Sequence, residues 1–232
     1  MKVVTDTQLV ESRAKWAKRI APFTLLFLVG GLITNFLSIS QPEYFRPTLI
    51  LLALGFVSAI VSSNLVNNWV REPRADQVLT QILKKFSNDY QLFNYTGPIR
   101  HVLIAPDGLY AIVVKNHDGE ITVNGRKVSR KFTWKRLVKM FADEGLGSPI
   151  AEAENRAAKL AKSLNREFPD MDVPPVKPLL LFSNKEAQVT VNQPDVPALV
   201  TSEIKNYLRE EGKNRVVSSD VRKKLAEYLG GE

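Results

Sequence analysis

The 232-residue chain contains no cysteine, which excludes disulfides and thiolate-held metals. Histidine is nearly absent: His101 and His117 are the only two, too few for a histidine-based zinc cluster. A P-loop, a Rossmann glycine pattern, a Ser-His-Asp grouping and internal repeats are also missing. Acidic charge is in deficit, with 24 Asp and Glu against 32 Lys and Arg and a formal net charge of +8. That balance favours anionic partners such as nucleic acid or acidic lipid.

Charge is missing altogether from two long runs. Residues 20–39 hold no ionisable side chain, and about 20 apolar residues suffice to cross the hydrocarbon layer as a helix. A polar link with Pro42, Glu43, Tyr44 and Arg46 follows, then a second uncharged run over 48–70 that closes on Trp69. Two spans so close in sequence predict a transmembrane helical hairpin. A cleaved signal peptide is the poorer reading, because the first run lacks a small-residue cleavage site and has a long basic flank. Arg13, Lys15, Lys18 and Arg19 precede the first span, Arg71 and Arg74 follow the second, and the link carries only Arg46 beside Glu43. The positive-inside rule therefore puts both termini in the cytoplasm of a bacterial-type inner membrane. Gly30, Gly31 and Gly55, with Ala53, Ser58, Ala59, Ser62 and Ser63, suit close helix packing. Asn35, Asn64, Asn67 and Asn68 are uncharged and read as interhelical or interfacial groups, not as a transport path.

After Pro73, Val78, Leu79, Ile82, Leu83 and Phe86 recur at helical spacing. Residues 87–98 lead through Tyr90, Phe93 and Tyr95 into the most strand-like stretch of the chain. It predicts strands at 99–105, 109–116 and 120–124, separated by Pro106-Asp107-Gly108 and His117-Asp118-Gly119 turns. The first two are too apolar for a surface position and belong in the middle of a sheet. Arg126, Lys127, Arg130, Lys131, Lys135, Arg136 and Lys139 follow without an acidic residue, interleaved with Phe132 and Trp134. Such a segment suits a nucleic-acid backbone with stacked bases, an anionic leaflet, or a solvated edge. A long helix is expected over 150–168 and strands at 179–182, 189–191 and 198–201. Helices are expected at 202–211 and 220–229, the last stopped by Gly230-Gly231.

The pattern around the first turn resembles the nuclease-related (NERD) domain of the PD-(D/E)xK group. His101, Pro106, Gly108, Tyr110, Ile112, Lys115, Asn116 and Gly119 match its motif. The resemblance implies an α/β fold: the hairpin followed by a restriction-endonuclease-like α/β sandwich with a mixed central sheet. Its expected parts are a basic terminus over 1–19, the hairpin over 20–70, the nuclease-related domain over 72–212 and a C-terminal helix over 213–232. Two motif positions depart from the family: Arg100 stands where it places a metal-binding Asp, and Val113 where it places a Glu. At the start of the long helix its Pro-x-x-Gln becomes Pro149 and Glu152. A hard cation needs adjacent oxygen donors, so a guanidinium and an isopropyl group at two ligand positions imply lost chemistry.

The remnant of the catalytic set is Lys115, with Asp76 and Glu152 as the carboxylates the family's register brings nearest. Asp76 equally suits a helix N-terminus. The reading is a membrane-anchored binding or scaffolding module without a cofactor. Its anion contacts would be Arg100, Lys115, Arg126, Lys127, Arg130, Lys131, Trp134, Lys135, Arg136 and Lys139, its partners the bilayer and nucleic acid or acidic lipid. The alternative is an active Mg²⁺-dependent nuclease using Asp76, Asp107, Asp118, Glu120 or Glu152 around Lys115.

Overall fold

The computed structural model describes residues 1–132 and 145–230, and the chain divides into two compact units. One is a helical hairpin. Helix α1 (Thr7–Ser40) and helix α2 (Phe45–Trp69) are joined by a short 3₁₀ turn at Pro42–Tyr44. Both are long and apolar enough to cross a membrane, and most of their large apolar side chains are exposed.

Within the hairpin the packing has a local two-fold pattern. Leu28 and Gly31 on α1, and Leu52 and Gly55 on α2, share the spacing Leu-x-x-Gly. A Cβ added at Gly31 would meet Leu52 Cδ2 at 2.7 Å and the Leu52 backbone nitrogen at 3.3 Å, and one at Gly55 would meet the same atoms of Leu28 at 2.7 and 3.3 Å. Each leucine thus fills the notch that the other helix's glycine leaves, which brings the two backbones close. Hydroxyls in the apolar runs bond back to their own helix: Thr34 Oγ1 donates to Gly30 O at 3.0 Å, Thr48 Oγ1 to Tyr44 O at 2.8 Å and Ser58 Oγ to Gly55 O at 3.0 Å. Such internal bonds satisfy polar groups without water.

The other unit comprises residues 1–6, 75–132 and 146 onward. Its strands are β1 (Lys2–Thr5), β2 (Gln91–Asn94), β3 (His101–Ala105), β4 (Gly108–Lys115), β5 (Gly119–Asn124), β6 (Lys127–Arg130), β7 (Val176–Phe182), β8 (Ala187–Asn192) and β9 (Ala198–Val200). Its helices are α3 (Ala75–Leu83), α4 (Pro149–Glu167), α5 (Ile204–Glu211) and α6 (Ser219–Gly230). Six strands form a mixed sheet in the order β1-β2-β3-β4-β7-β9, and three more form a second sheet, β6-β5-β8. In the larger sheet β2, β3 and β4 run antiparallel, while β1 lies parallel to β2, β7 to β4 and β9 to β7. The expected α/β architecture with a mixed central sheet is present.

Alternation along β4 sorts the layers. Tyr110 and Ile112 pack with Leu79 and Leu83 of α3 and Ile204 and Leu208 of α5. Leu109 and Ala111 pack on the opposite face with Leu160 and Leu164 of α4 and Leu225 and Leu229 of α6. Strand periodicity thus builds a helix–sheet–helix sandwich. The β3–β4 turn is tight: Ala105 pairs with Gly108, and Leu109 N donates to Pro175 O at 2.9 Å. Gly108 has φ +140° and a Cβ there would sit 2.6 Å from Pro175 O, so only glycine fits.

Three elements exceed the sequence expectation. Strand β1 lies within the first 19 residues, β2 within the 87–98 connection, and β6 within the basic segment. Helix α6 packs into the domain core instead of standing apart from it.

Candidate anion-binding site

Lys115 ends β4, where Ser183 N donates to its carbonyl at 3.0 Å and the chain passes on to the second sheet. Val113, two residues earlier, shares its face of the strand. That valine is 1% exposed and packs among Ile121, Ile150, Ala153, Leu180 and Phe182. The position that the family gives to a ligating Glu is therefore part of an apolar core.

Helix α4 crosses the same face and brings Glu152, in its first turn, over the lysine. Lys115 Nζ lies 2.9 Å from Glu152 Oε2, and Arg156, one turn further along, holds Glu152 Oε1. All three side chains keep a path to solvent, being 13%, 32% and 20% exposed for Lys115, Glu152 and Arg156. Burial works against the charged form of Glu152. The hydrogen bond from Lys115 and the charges of Arg156, Lys115 and Arg100 outweigh it and hold the carboxyl below its ordinary range. Arg100, exposed just before β3, acts on the same group.

The residue after Arg100, His101, belongs to a buried chain of hydrogen bonds. Asn94 Nδ2 donates to Thr5 Oγ1 at 3.1 Å, which leaves Asn94 Oδ1 to accept from His101 Nδ1 at 2.9 Å. His101 is 2% exposed, with the Tyr95 ring edge-on at 5.1 Å. Burial, then the charges of Arg156 and Arg100, pull its pKa down to about 3, so the imidazole is neutral.

The remaining predicted residues are distributed elsewhere. Asp76 is buried in the first turn of α3. Arg126 pairs with Glu154, Arg130 with Asp118 and Lys131 with Glu120. Arg130 also donates to Asp118 O at 2.7 Å and its side chain is enclosed, which ties β6 to the turn before β5. Lys127 is exposed on β6. Trp134, Lys135, Arg136 and Lys139 lie outside the described residues. Asp107, buried at the β3–β4 turn, accepts from Tyr110 Oη at 2.5 Å and Lys177 Nζ at 2.6 Å, and Lys177 also holds Glu211 at 2.9 Å. Two side chains at these clusters escaped the sequence reading. Arg156 had a visible signal, the i,i+4 spacing from Glu152; Lys177 had none.

A family model described as "Nuclease-related domain" matches residues 66–183, half of the chain. The chain belongs to the nuclease-related domain family. No curated protein matches it, and no solved structure does. The domain's strands β8 and β9, helices α5 and α6 and strand β1 all lie outside the matched region yet complete its sheets and cover its faces.

The divalent ion that the wider nuclease group implies does not fit this donor set. Among the described residues the site offers one carboxylate, already bound to two cations, beside a buried valine, with Arg100 acting on the same carboxylate. Among the described residues, no group of three or more His, Cys, Asp and Glu side chains is placed to hold a metal. The carboxylates Asp107, Asp118, Glu120 and Glu152 each have a cationic partner of their own.

Proposed function

We propose that this nuclease-related domain is a non-catalytic, membrane-anchored module that binds the phosphate backbone of nucleic acid. The observation that carries the reading is the Lys115–Glu152–Arg156 cluster with Arg100 beside it. Among the described residues, Lys115, Arg156 and Arg100 act on the one Glu152 carboxylate, a basic setting that attracts an anion, and Val113 adds no oxygen ligand. The cluster is partly recessed, with Lys115 13% exposed. That recess suits a strand's phosphate reaching in better than a flat lipid surface, which wants protruding basic groups. The described cations at Arg126, Arg130 and Lys131, being paired within the domain, weaken the case for a lipid-facing patch there.

Two features support membrane anchoring with both ends on one side. The hairpin helices are long and apolar, and β1 before them belongs to the same sheet as β2 after them. A chain that leaves that sheet and returns to it must cross the bilayer an even number of times. The basic flanks then favour the cytoplasmic side.

The test uses the full chain in nanodiscs of zwitterionic lipid, with fluorescent oligo-dT and duplex DNA, in EDTA and then in Mg²⁺ or Mn²⁺. Binding that weakens with salt and proceeds without cleavage is expected. Cleavage that disappears in Lys115→Ala would overturn the non-catalytic reading. Docking seen only on discs of anionic lipid, with no nucleic-acid binding, would replace nucleic acid by lipid. Since the chain has no native cysteine, single cysteines at Tyr44 and Ser129 report the topology: the first should label from outside the cell, the second only after permeabilisation.

A further inference from the structure

We infer that Glu152 is a built-in counter-anion, and that a phosphate enters this site without a divalent ion by displacing the Glu152 carboxylate from Lys115 and Arg156. This rests on the anion-binding reading above and adds the means of entry. In a metal-dependent nuclease a cation bridges protein carboxylates to the phosphate. Here the cationic charge is supplied covalently by Lys115, Arg156 and Arg100, so a bridging ion has no task.

The geometry of the exchange is on the protein. The two oxygens of Glu152 are divided between the two cations, Oε2 at 2.9 Å from Lys115 Nζ and Oε1 on Arg156. Two non-bridging oxygens of a phosphodiester present the same pair of acceptors. Lys115 projects from the end of a central strand and is the most enclosed of the three side chains, while Glu152 stands in the first turn of α4. Enclosure therefore restrains the lysine more than the carboxylate. Glu152 is also the most exposed of the three, so it can swing out to solvent and still be hydrated. The helix end it would vacate favours an incoming anion as it favoured the carboxylate. No unpaired cation is left behind, because one anion replaces another at the same two donors.

The experiment compares the full chain with Glu152→Gln and Glu152→Ala in zwitterionic nanodiscs, in EDTA, with oligo-dT as probe and inorganic phosphate as competitor. Melting temperatures identify which of the two variants keeps the wild-type fold, and that variant is the one read. Removing the competing carboxylate should tighten oligo-dT binding by about tenfold, the change expected for losing one charge-assisted competitor. Adding Lys115→Met to the same variant should abolish the gain, and inorganic phosphate should compete better with the single variant than with wild type. Wild-type binding that is unchanged or weakened by loss of Glu152 would overturn the inference while leaving anion binding intact. Wild-type binding that requires Mg²⁺ and is lost in EDTA would also overturn it. Failure of wild type and variant alike to bind at low salt would bring down the anion-binding reading itself.

Discussion

The domain should lose about 2 kcal/mol of stability between pH 7 and pH 5, and His101 should account for it. The imidazole is enclosed, its Nδ1 hydrogen is held by Asn94 Oδ1 at 2.9 Å, and the charges that reach it are the guanidinium groups of Arg156 and Arg100. A proton added there would be buried beside like charge, so the folded protein resists protonation until about pH 3, against 6.5 for a free histidine. The unfolded chain binds its proton below 6.5 while the native state does not. Stability is therefore complete above that value, falls by about 1.4 kcal/mol for each pH unit below it, and levels off once the native state protonates too. For a domain of this size, about 2 kcal/mol corresponds to a melting shift of about 4–8 °C. The assay is thermal melting of the full chain in zwitterionic nanodiscs across pH 7.5 to 5, with hydrogen exchange on β2–β4 as a local readout. His101→Gln keeps a donor for Asn94 but cannot titrate, so its melting temperature should be nearly flat over this range. The held-down carboxyls of Asp89 and Glu152 titrate below their ordinary acidic values and do not contribute between pH 5 and 7. A wild-type melting temperature that does not move, or a glutamine variant that loses the same stability, would refute the assignment.

Tyr110→Phe removes the hydroxyl that donates to the buried Asp107 carboxylate, whose Oδ1 already has no hydrogen-bond partner among the described residues. A loss of about 1–3 kcal/mol is expected, measurable by denaturant titration of the full chain in detergent. In the hairpin, Gly31→Ala should lower the melting temperature and Gly30→Ala should not. The first adds a methyl 2.7 Å from Leu52 Cδ2, whereas the second has its nearest neighbour at 3.7 Å, and overpacking costs about 1–3 kcal/mol. Restoring the family's carboxylates with Arg100→Asp and Val113→Glu should destabilise the domain and yield no cleavage with Mg²⁺. The pocket around Val113 is apolar, and a carboxylate buried without a well-placed partner costs several kcal/mol; a folded, cleaving double variant would refute this.

What could be read from the sequence was what local chemistry determines. The strands expected at 99–105, 109–116 and 120–124 are His101–Ala105, Gly108–Lys115 and Gly119–Asn124, and the helix expected at 150–168 is Pro149–Glu167. Their turns and apolar runs specify them without help from elsewhere. Strand β1 could not be read that way. Lys2–Thr5 is four residues that become a strand only because Gln91–Asn94 lies beside them, and β2 is equally short. Strand β6 was hidden by its charge. Arg126, Arg130 and Lys131 look like a binding patch in a row of letters, yet their partners Glu154, Asp118 and Glu120 stand 28, 12 and 11 residues away. The Lys115–Glu152 contact followed from the family's register alone, since 37 residues separate them and no periodicity links a strand end to a helix start.

The hairpin is an insertion between two segments of one domain, not an anchor appended to it. Strand β1 precedes α1, and β2 lies beyond α2 and α3, yet the two are neighbours in the sheet. Thr5 and Asp6 are bonded to Asn94, the residue that also fixes His101. Cutting the chain after α2 to obtain a soluble domain would therefore remove β1, uncover the edge of β2 and strip Asn94 of its Thr5 and Asp6 partners. An uncovered strand edge invites pairing with other chains. It follows that a truncated chain beginning at residue 72 should aggregate or melt early even though it contains nearly all of the family-matched region. Supplying residues 1–6 through a short flexible linker in place of the hairpin should recover both solubility and the His101-dependent pH profile. If the truncated domain were as stable as the linked one, β1 would be an ornament of the sheet and the insertion merely a tether.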